Sequence, residues 1–123
     1  MQDFRKLKVW EKGHALTLAV YKATGVFPRD EVYGLTSQMR RSSSSIPTNI
    51  AEGCGKDTTP ELRKALRTSM GSASELEYQL ILAHDLGYLQ TSDLEELSAA
   101  TVEVKRMTAG FIGTINRRTA ITN

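Results

Sequence analysis

A chain of 123 residues with 40% hydrophobic and 24% charged side chains has the length of one domain with one core and the composition of a folded protein, which excludes a disordered or low-complexity segment. Its single cysteine, Cys54, excludes an internal disulfide. The charged opening MQDFRKLKVW and the lack of a run of about 20 apolar residues argue against a signal peptide and a membrane span, so a cytoplasmic protein with no membrane association is expected. The net charge of +2 permits contact with nucleic acid without requiring it.

Gly25 with Pro28, the Gly53 and Gly55 pair with Pro60, and Gly87 divide the chain. Between these breaks the apolar residues keep helical spacing and nothing alternates as a strand would. The first helix is predicted over about Arg5 to Thr24. It carries two apolar stripes, Leu7, Trp10, His14, Leu18 and Tyr21 on one and Val9, Leu16, Val20 and Ala23 on the other. It ends before Pro28, because the residue preceding a proline avoids helical dihedrals.

The next stretch, RRSSSSIPTNIAEGCGK at residues 40–56, has the composition of a linker. Leu35, Met39, Ser42 or Ser43, Ile46, Ile50 and Cys54 nevertheless recur every three or four residues and keep phase through Pro47, as a linker has no reason to do. Residues 33–53 therefore read as a second helix, kinked at Pro47, where one backbone hydrogen bond is lost and the carbonyl of Ser43 is left for a serine hydroxyl or a water. The small serines let a neighbouring helix approach, with Ser69, Gly71, Ser72, Ala73 and Ser74 as the natural counterpart, and Gly53 and Gly55 are expected as C-cap glycines.

In the third helix Thr58 or Thr59 is the N-cap, Pro60 lies in the first turn, and Leu62, Leu66, Ser69, Ala73, Leu76, Leu80 and Ala83 form the packing seam. Tyr78, Ile81 and Tyr88 form a second stripe. Gly87 closes this helix, and Thr91 or Ser92 opens the fourth with Glu95 or Glu96 completing a capping box. Its seam is Leu94, Leu97, Thr101, Val104, Thr108, Phe111 and Ile115. Short connections make successive helices antiparallel. The fold expected is all-α, an up-down four-helix bundle over residues 1–118, with fraying from about Asn116 and a tail at 119–123.

The segments FRKLKVWEKG, VFPRDEVYGLTSQMRRSSSSIPTNIAEGCGK, ELEYQL and LGYL together resemble bacterial four-helix bundle proteins, some of them encoded in intervening sequences of large-subunit ribosomal RNA genes. The resemblance runs from Phe4 to about Arg118. Its most specific part is YGLTSQ followed by RR and then SIP-x-NIAEG, although Cys54 stands where an aromatic would be expected. The resemblance implies a four-helix bundle that assembles into a homo-oligomeric ring, a pentamer. It also implies distant kinship to the accessory proteins of diversity-generating retroelements, basic pentameric barrels that bind a reverse transcriptase and nucleic acid. It implies no reaction. The two unsatisfied apolar stripes point the same way, since a closed ring buries faces that one bundle cannot.

Catalytic machinery is not expected. Glu11-x-x-His14 supplies half of a di-iron ligand set, but His84 lacks the matching glutamate. His14 reads as a partly buried histidine hydrogen-bonded near a subunit seam. The serine run contains neither Ser-x-x-Lys nor Gly-x-Ser-x-Gly, and Cys54 lies at the end of a helix, where a thiolate is disfavoured. No metal, cofactor or catalytic residue is therefore assigned.

What remains is charge. Arg5 and Lys8, Arg40 and Arg41, and Arg63, Lys64 and Arg67 are candidates for phosphate contacts, repeated around a ring, with RNA or DNA bound at low sequence specificity. A nucleic-acid enzyme is a further candidate partner. Gln38, Arg40, Glu52 and Glu75 are candidates for a polar network at the subunit seam. The competing reading is a protein-interaction scaffold or accessory subunit that touches no nucleic acid.

Overall fold

The computed structural model describes residues 2–122. Four helices, α1 (Lys8–Thr24), α2 (Leu35–Cys54), α3 (Thr59–Asp85) and α4 (Thr91–Thr122), account for most of it, with 3-10 turns at Phe4–Lys6 and Arg29–Glu31. No strand occurs among the described residues.

The direction of each helix follows from which residues meet. Gly13 faces Ile46 and Pro47, Thr17 reaches Ser43, and Thr24 reaches Arg40. Rising numbers on α1 thus meet falling numbers on α2. Gly53 against Leu62 and Ala65, Ser45 against Ser72, and Ser42 against Gln79 set α2 and α3 antiparallel in the same way. Arg63 with Asn116, Glu77 with Lys105, and His84 with Thr91 do so for α3 and α4. Helix α4 also packs on α1, closing the bundle.

Leu16, Val20, Met39, Ile46, Ile50, Leu66, Leu76, Leu80 and Val104 are fully buried in the core. On α1 the stripe that enters it is Val9, Leu16 and Val20. Of the other stripe, Leu7 and Trp10 pack partly buried against the core, while Leu18 and Tyr21 stay at the surface, 58% and 44% exposed. The seams expected for α3 and α4 are the buried ones, including Ser69, Thr101 and Thr108.

Helix α2 passes through Pro47 without interruption. The lone pair of the Ser43 carbonyl is taken from outside the helix: Thr17 Oγ1 of α1 lies 2.9 Å from it. The serines pack as close-approach residues. Ser45 Oγ is 2.8 Å from Ser72 Oγ, Ser69 donates to the Ile46 carbonyl at 3.0 Å, and Ser42 donates to Gln79 Oε1 at 2.6 Å. Gly71 and Ser74, expected in this contact, instead face outward.

Terminal details differ from the sequence pattern at Gly53 and at the start of α4, while Gly55 is the cap expected. Gly53 lies inside α2, where a Cβ would come within 3.0 Å of both Ala65 Cβ and Leu62 Cδ1, so its role is close approach to α3. Gly55 takes the cap position with an ordinary right-handed φ of -90°. The capping box expected on Thr91 or Ser92 gives way to a helix that already begins at Thr91, whose hydroxyl meets His84 Nε2 at 3.0 Å. The α3 start follows the pattern: Thr58 Oγ1 accepts the Glu61 N–H at 3.3 Å and donates to Glu61 Oε1 at 2.8 Å. Its end is a Schellman turn, with Gly87 at φ 83°, Tyr88 N–H on the Ala83 carbonyl and Gly87 N–H on that of His84. Helix α4 is continuous to Thr122, past the fraying expected from Asn116, and Asn123 lies outside the described residues.

Candidate nucleic-acid interface

Antiparallel packing sorts the charges. The start of α1, the end of α2, the start of α3 and the end of α4 share one end of the bundle. Arg5 arrives there from the 3-10 turn at Phe4–Lys6, Lys8 from α1, and Arg63, Lys64 and Arg67 from α3. Lys56, Arg117 and Arg118 add to them from the ends of α2 and α4. The opposite end gathers Asp30, Glu31, Asp85, Asp93, Glu95 and Glu96. Asp3, Glu11, Glu52, Asp57 and Glu61 also lie toward the first end and Lys22, Arg29, Arg40 and Arg41 toward the second, so the difference between the ends is one of net charge, positive at the first.

At the basic end, Arg5 pairs with Asp3 at 3.1 Å and lies over the Phe4 ring at 5.2 Å. The same guanidinium, by hydrogen bonding, holds the Asp3 carboxyl below its ordinary value. Arg63 donates to Asn116 Oδ1 at 2.8 Å, which fixes it against α4. Lys8, Lys64 and Arg67 are exposed. At about 100° per residue, Lys64 and Arg67 share the outward face of α3 with Gly71, Ser74 and Tyr78.

Arg40 and Arg41 are elsewhere. The rise along α2 from Arg41 to Gly53 is about 18 Å, so this pair is separate from the basic end. Arg40 is fixed to α1. Its Nε donates to Thr24 Oγ1 at 2.9 Å, its Nη2 to the Tyr21 carbonyl at 3.1 Å, and its guanidinium lies 4.8 Å above the Tyr21 ring. Arg41 points outward.

The residues predicted to form a polar network do not meet within one chain. Arg40 bonds to α1 and Glu52 lies 3.9 Å from Lys56, one turn along its own helix. Gln38 and Glu75 are exposed, and among the described residues no side-chain hydrogen bond or ion pair engages either. The buried polar groups that do connect helices are Thr17, Thr24, Ser42, Ser69 and Gln79. Sequence reasoning passes over Gln79 and the threonines. Their signal is phase: Gly13, Thr17 and Thr24 recur at four and seven residues, on the face of α1 that meets α2.

His14 is exposed and stacked on Trp10, ring centroids 5.1 Å apart at 8°, rather than partly buried and hydrogen-bonded; Trp10 meets Phe4 edge-on at 5.0 Å. Cys54 is buried, and burial pushes its thiol up. Tyr88 does not join the outer stripe of α3. It packs on Phe27 and donates to Glu31 Oε2 at 3.0 Å. Tyr78 (61%) and Ile81 (49%) do stand out in solvent. Among the described residues no three His, Cys, Asp or Glu side chains converge where a metal ion could sit, and no helix is long and apolar enough to cross a membrane.

Four antiparallel helices around an aliphatic core seamed with hydroxyls place the chain in the class of antiparallel four-helix bundles. It belongs to the 23S rRNA-intervening sequence protein family, whose pattern it matches over residues 5–110. It is similar in fold to the crystal structure of a protein of unknown function from the S23 ribosomal protein family of Bacteroides thetaiotaomicron. That likeness has a TM-score of 0.77 at 21% identity and covers 85% of this chain and 97% of that one. No curated protein matches it.

Proposed function

We propose that the protein is a cytoplasmic, non-enzymatic bundle that assembles with copies of itself into a pentameric ring and holds RNA or DNA with low sequence specificity. The observation that carries the nucleic-acid reading is the sorting of cations to one end. Lys8 lies in the first turn of α1, and Arg63 and Lys64 follow closely on the start of α3. The helix dipole disfavours a positive side chain in the first turn, so helix stability does not account for Lys8. Ring symmetry would bring several copies of this end together and multiply its field.

The outer stripes support assembly. Leu18 and Tyr21 on α1, and Tyr78 and Ile81 on α3, lie on different faces of one bundle. A heterologous contact between two such faces closes into a ring when the rotation fits. In this reading a bend of α2 at Pro47 shapes the bundle for its neighbour, and Gln38, Glu52 and Glu75 find partners across the seam. A nucleic-acid enzyme docking on the ring is compatible with the same surface.

The test is light scattering behind size exclusion on nuclease-treated protein, with and without mixed RNA and DNA probes at two salt concentrations. The expected result is a mass near five chains and a shift with probe that is lost as salt rises. With about six phosphate contacts per complex, affinity falls roughly 10³-fold between 50 and 200 mM salt. A monomer at micromolar concentration removes the ring. A ring that ignores the probe at both salts leaves a protein-interaction scaffold.

A further inference from the structure

Among the described residues five threonines are buried in the bundle: Thr17, Thr24, Thr36, Thr101 and Thr108. Four of them donate to the carbonyl four residues earlier on their own helix, at 2.7–2.9 Å. Thr36 is the exception. It is 7% exposed, and its Oγ1 has no hydrogen-bond partner among the described residues. The reason is positional: Thr36 is the second residue of α2, so no helical carbonyl lies one turn below it. A buried hydroxyl without a partner is unfavourable, and an unmet one points to a ligand or solvent group.

Thr36 forms part of a groove of about 430 Å³ between the end of α1 and the start of α2, together with Tyr21, Val32, Ser37, Arg40, Arg41 and Ser44. No carboxylate lines it. Arg40 is already locked by Thr24 and Tyr21, which leaves its remaining N–H groups pre-oriented. Arg41 and the Ser37 hydroxyl make no ion pair or side-chain hydrogen bond among the described residues. Ser44 donates to the Arg41 carbonyl at 3.2 Å. The nearest acid in sequence, Glu31, is committed on both oxygens, to Leu35 N–H at 3.1 Å and to Tyr88 O–H at 3.0 Å. Two arginines, two unused hydroxyls and the positive end of α2 suit an oxyanion better than an apolar group.

We propose that this groove binds a phosphate group, with Thr36 as a hydrogen-bond donor and Arg40 and Arg41 supplying the charge. The source it fits is the backbone of the nucleic acid held at the basic end, about 18 Å away along α2. That source rests on the function proposed above; the phosphate chemistry of the groove does not.

The test compares wild type with Thr36→Val, Thr36→Ser, Arg41→Gln and a basic-end control, Lys64→Gln with Arg67→Gln. The probes are a labelled single-stranded oligonucleotide followed by anisotropy at low salt, and inorganic phosphate followed by thermal unfolding. Thr36→Val and Arg41→Gln are expected to weaken the oligonucleotide about tenfold each, the loss of one hydrogen bond to a charged group. Thr36→Ser should bind as wild type does, and Thr36→Val should melt higher because the unmet hydroxyl is gone. If no form binds the oligonucleotide but phosphate raises the melting temperature of wild type and not of Thr36→Val, the groove stands with free phosphate as its ligand and the nucleic-acid reading falls. If the oligonucleotide binds all groove variants equally and only the basic-end control loses it, the groove proposal is overturned and the nucleic-acid reading survives. A change in oligomer mass with unaltered response to both probes overturns it as well, making the groove a subunit seam.

Discussion

The Thr17 hydroxyl lies 2.9 Å from two carbonyls, Gly13 on its own helix and Ser43 across the interface, and its one proton is shared between them. Pro47 has no N–H to offer Ser43, so this side chain satisfies a carbonyl that the helix itself cannot. Thr17→Val keeps the shape and removes the donor. We expect it to lower stability by about 1–3 kcal/mol, read as a shift of the urea midpoint, with Thr17→Ser milder. Tyr88 offers a second residue-scale test. Its phenol is raised above its ordinary value, first by the hydrogen bond to Glu31, then by burial and the negative charges of Glu31 and Asp30. A raised folded value means that its contribution to stability is complete below the ordinary phenol value of about 10 and is lost as pH climbs through the folded one. An alkaline ultraviolet titration should show a late-ionising phenol that Glu31→Gln returns toward normal.

At the scale of the element, two glycines with similar sequence surroundings do opposite things. A Cβ at Gly53 would meet Ala65 and Leu62 at 3.0 Å, whereas one at Gly71 would meet nothing within 4 Å. Gly53→Ala should overpack the α2–α3 contact and cost about 1–3 kcal/mol. Gly71→Ala should stabilise α3 by up to about 1 kcal/mol, since alanine is the better helix former on an open face. Thermal unfolding of the two variants measures both signs. The existence of four helices, the Thr58 cap and the α3 seam are legible in the sequence because each is a local or periodic property. The roles of Gly53 and Gly71 are not, because both lie in helices among small residues and only the neighbour's position separates them. The same holds for Thr91, where its own sequence suggests a cap and α3 supplies His84 instead.

At the scale of the whole molecule, the clusters that look alike along the chain become two different surfaces. Arg63, Lys64 and Arg67 join Arg5 and Lys8 at one end, while Arg40 turns inward to brace α1. Charge reversal at Lys64 and Arg67 should weaken binding of an oligonucleotide at low salt and flatten its salt dependence, measured by anisotropy across a salt series. Leu18→Glu or Ile81→Glu, each at an exposed apolar position, should lower the mass seen in sedimentation and leave helicity unchanged.

Periodicity and punctuation in the sequence determined the number of helices, their order and the stripes of α2, α3 and α4 that carry the aliphatic core, because helix geometry ties every third or fourth residue to one face. They also placed the serine run of α2 in a helix and not in a linker. Only the tertiary structure decided which of the two α1 stripes is buried, what accepts or donates at Ser43, and which cations share a surface. Those facts depend on distances between residues far apart in the chain, and helical spacing carries no information about what stands opposite. Thr36 illustrates the divide: its place in the first turn of α2 follows from the sequence pattern, and its burial is visible only in the folded bundle.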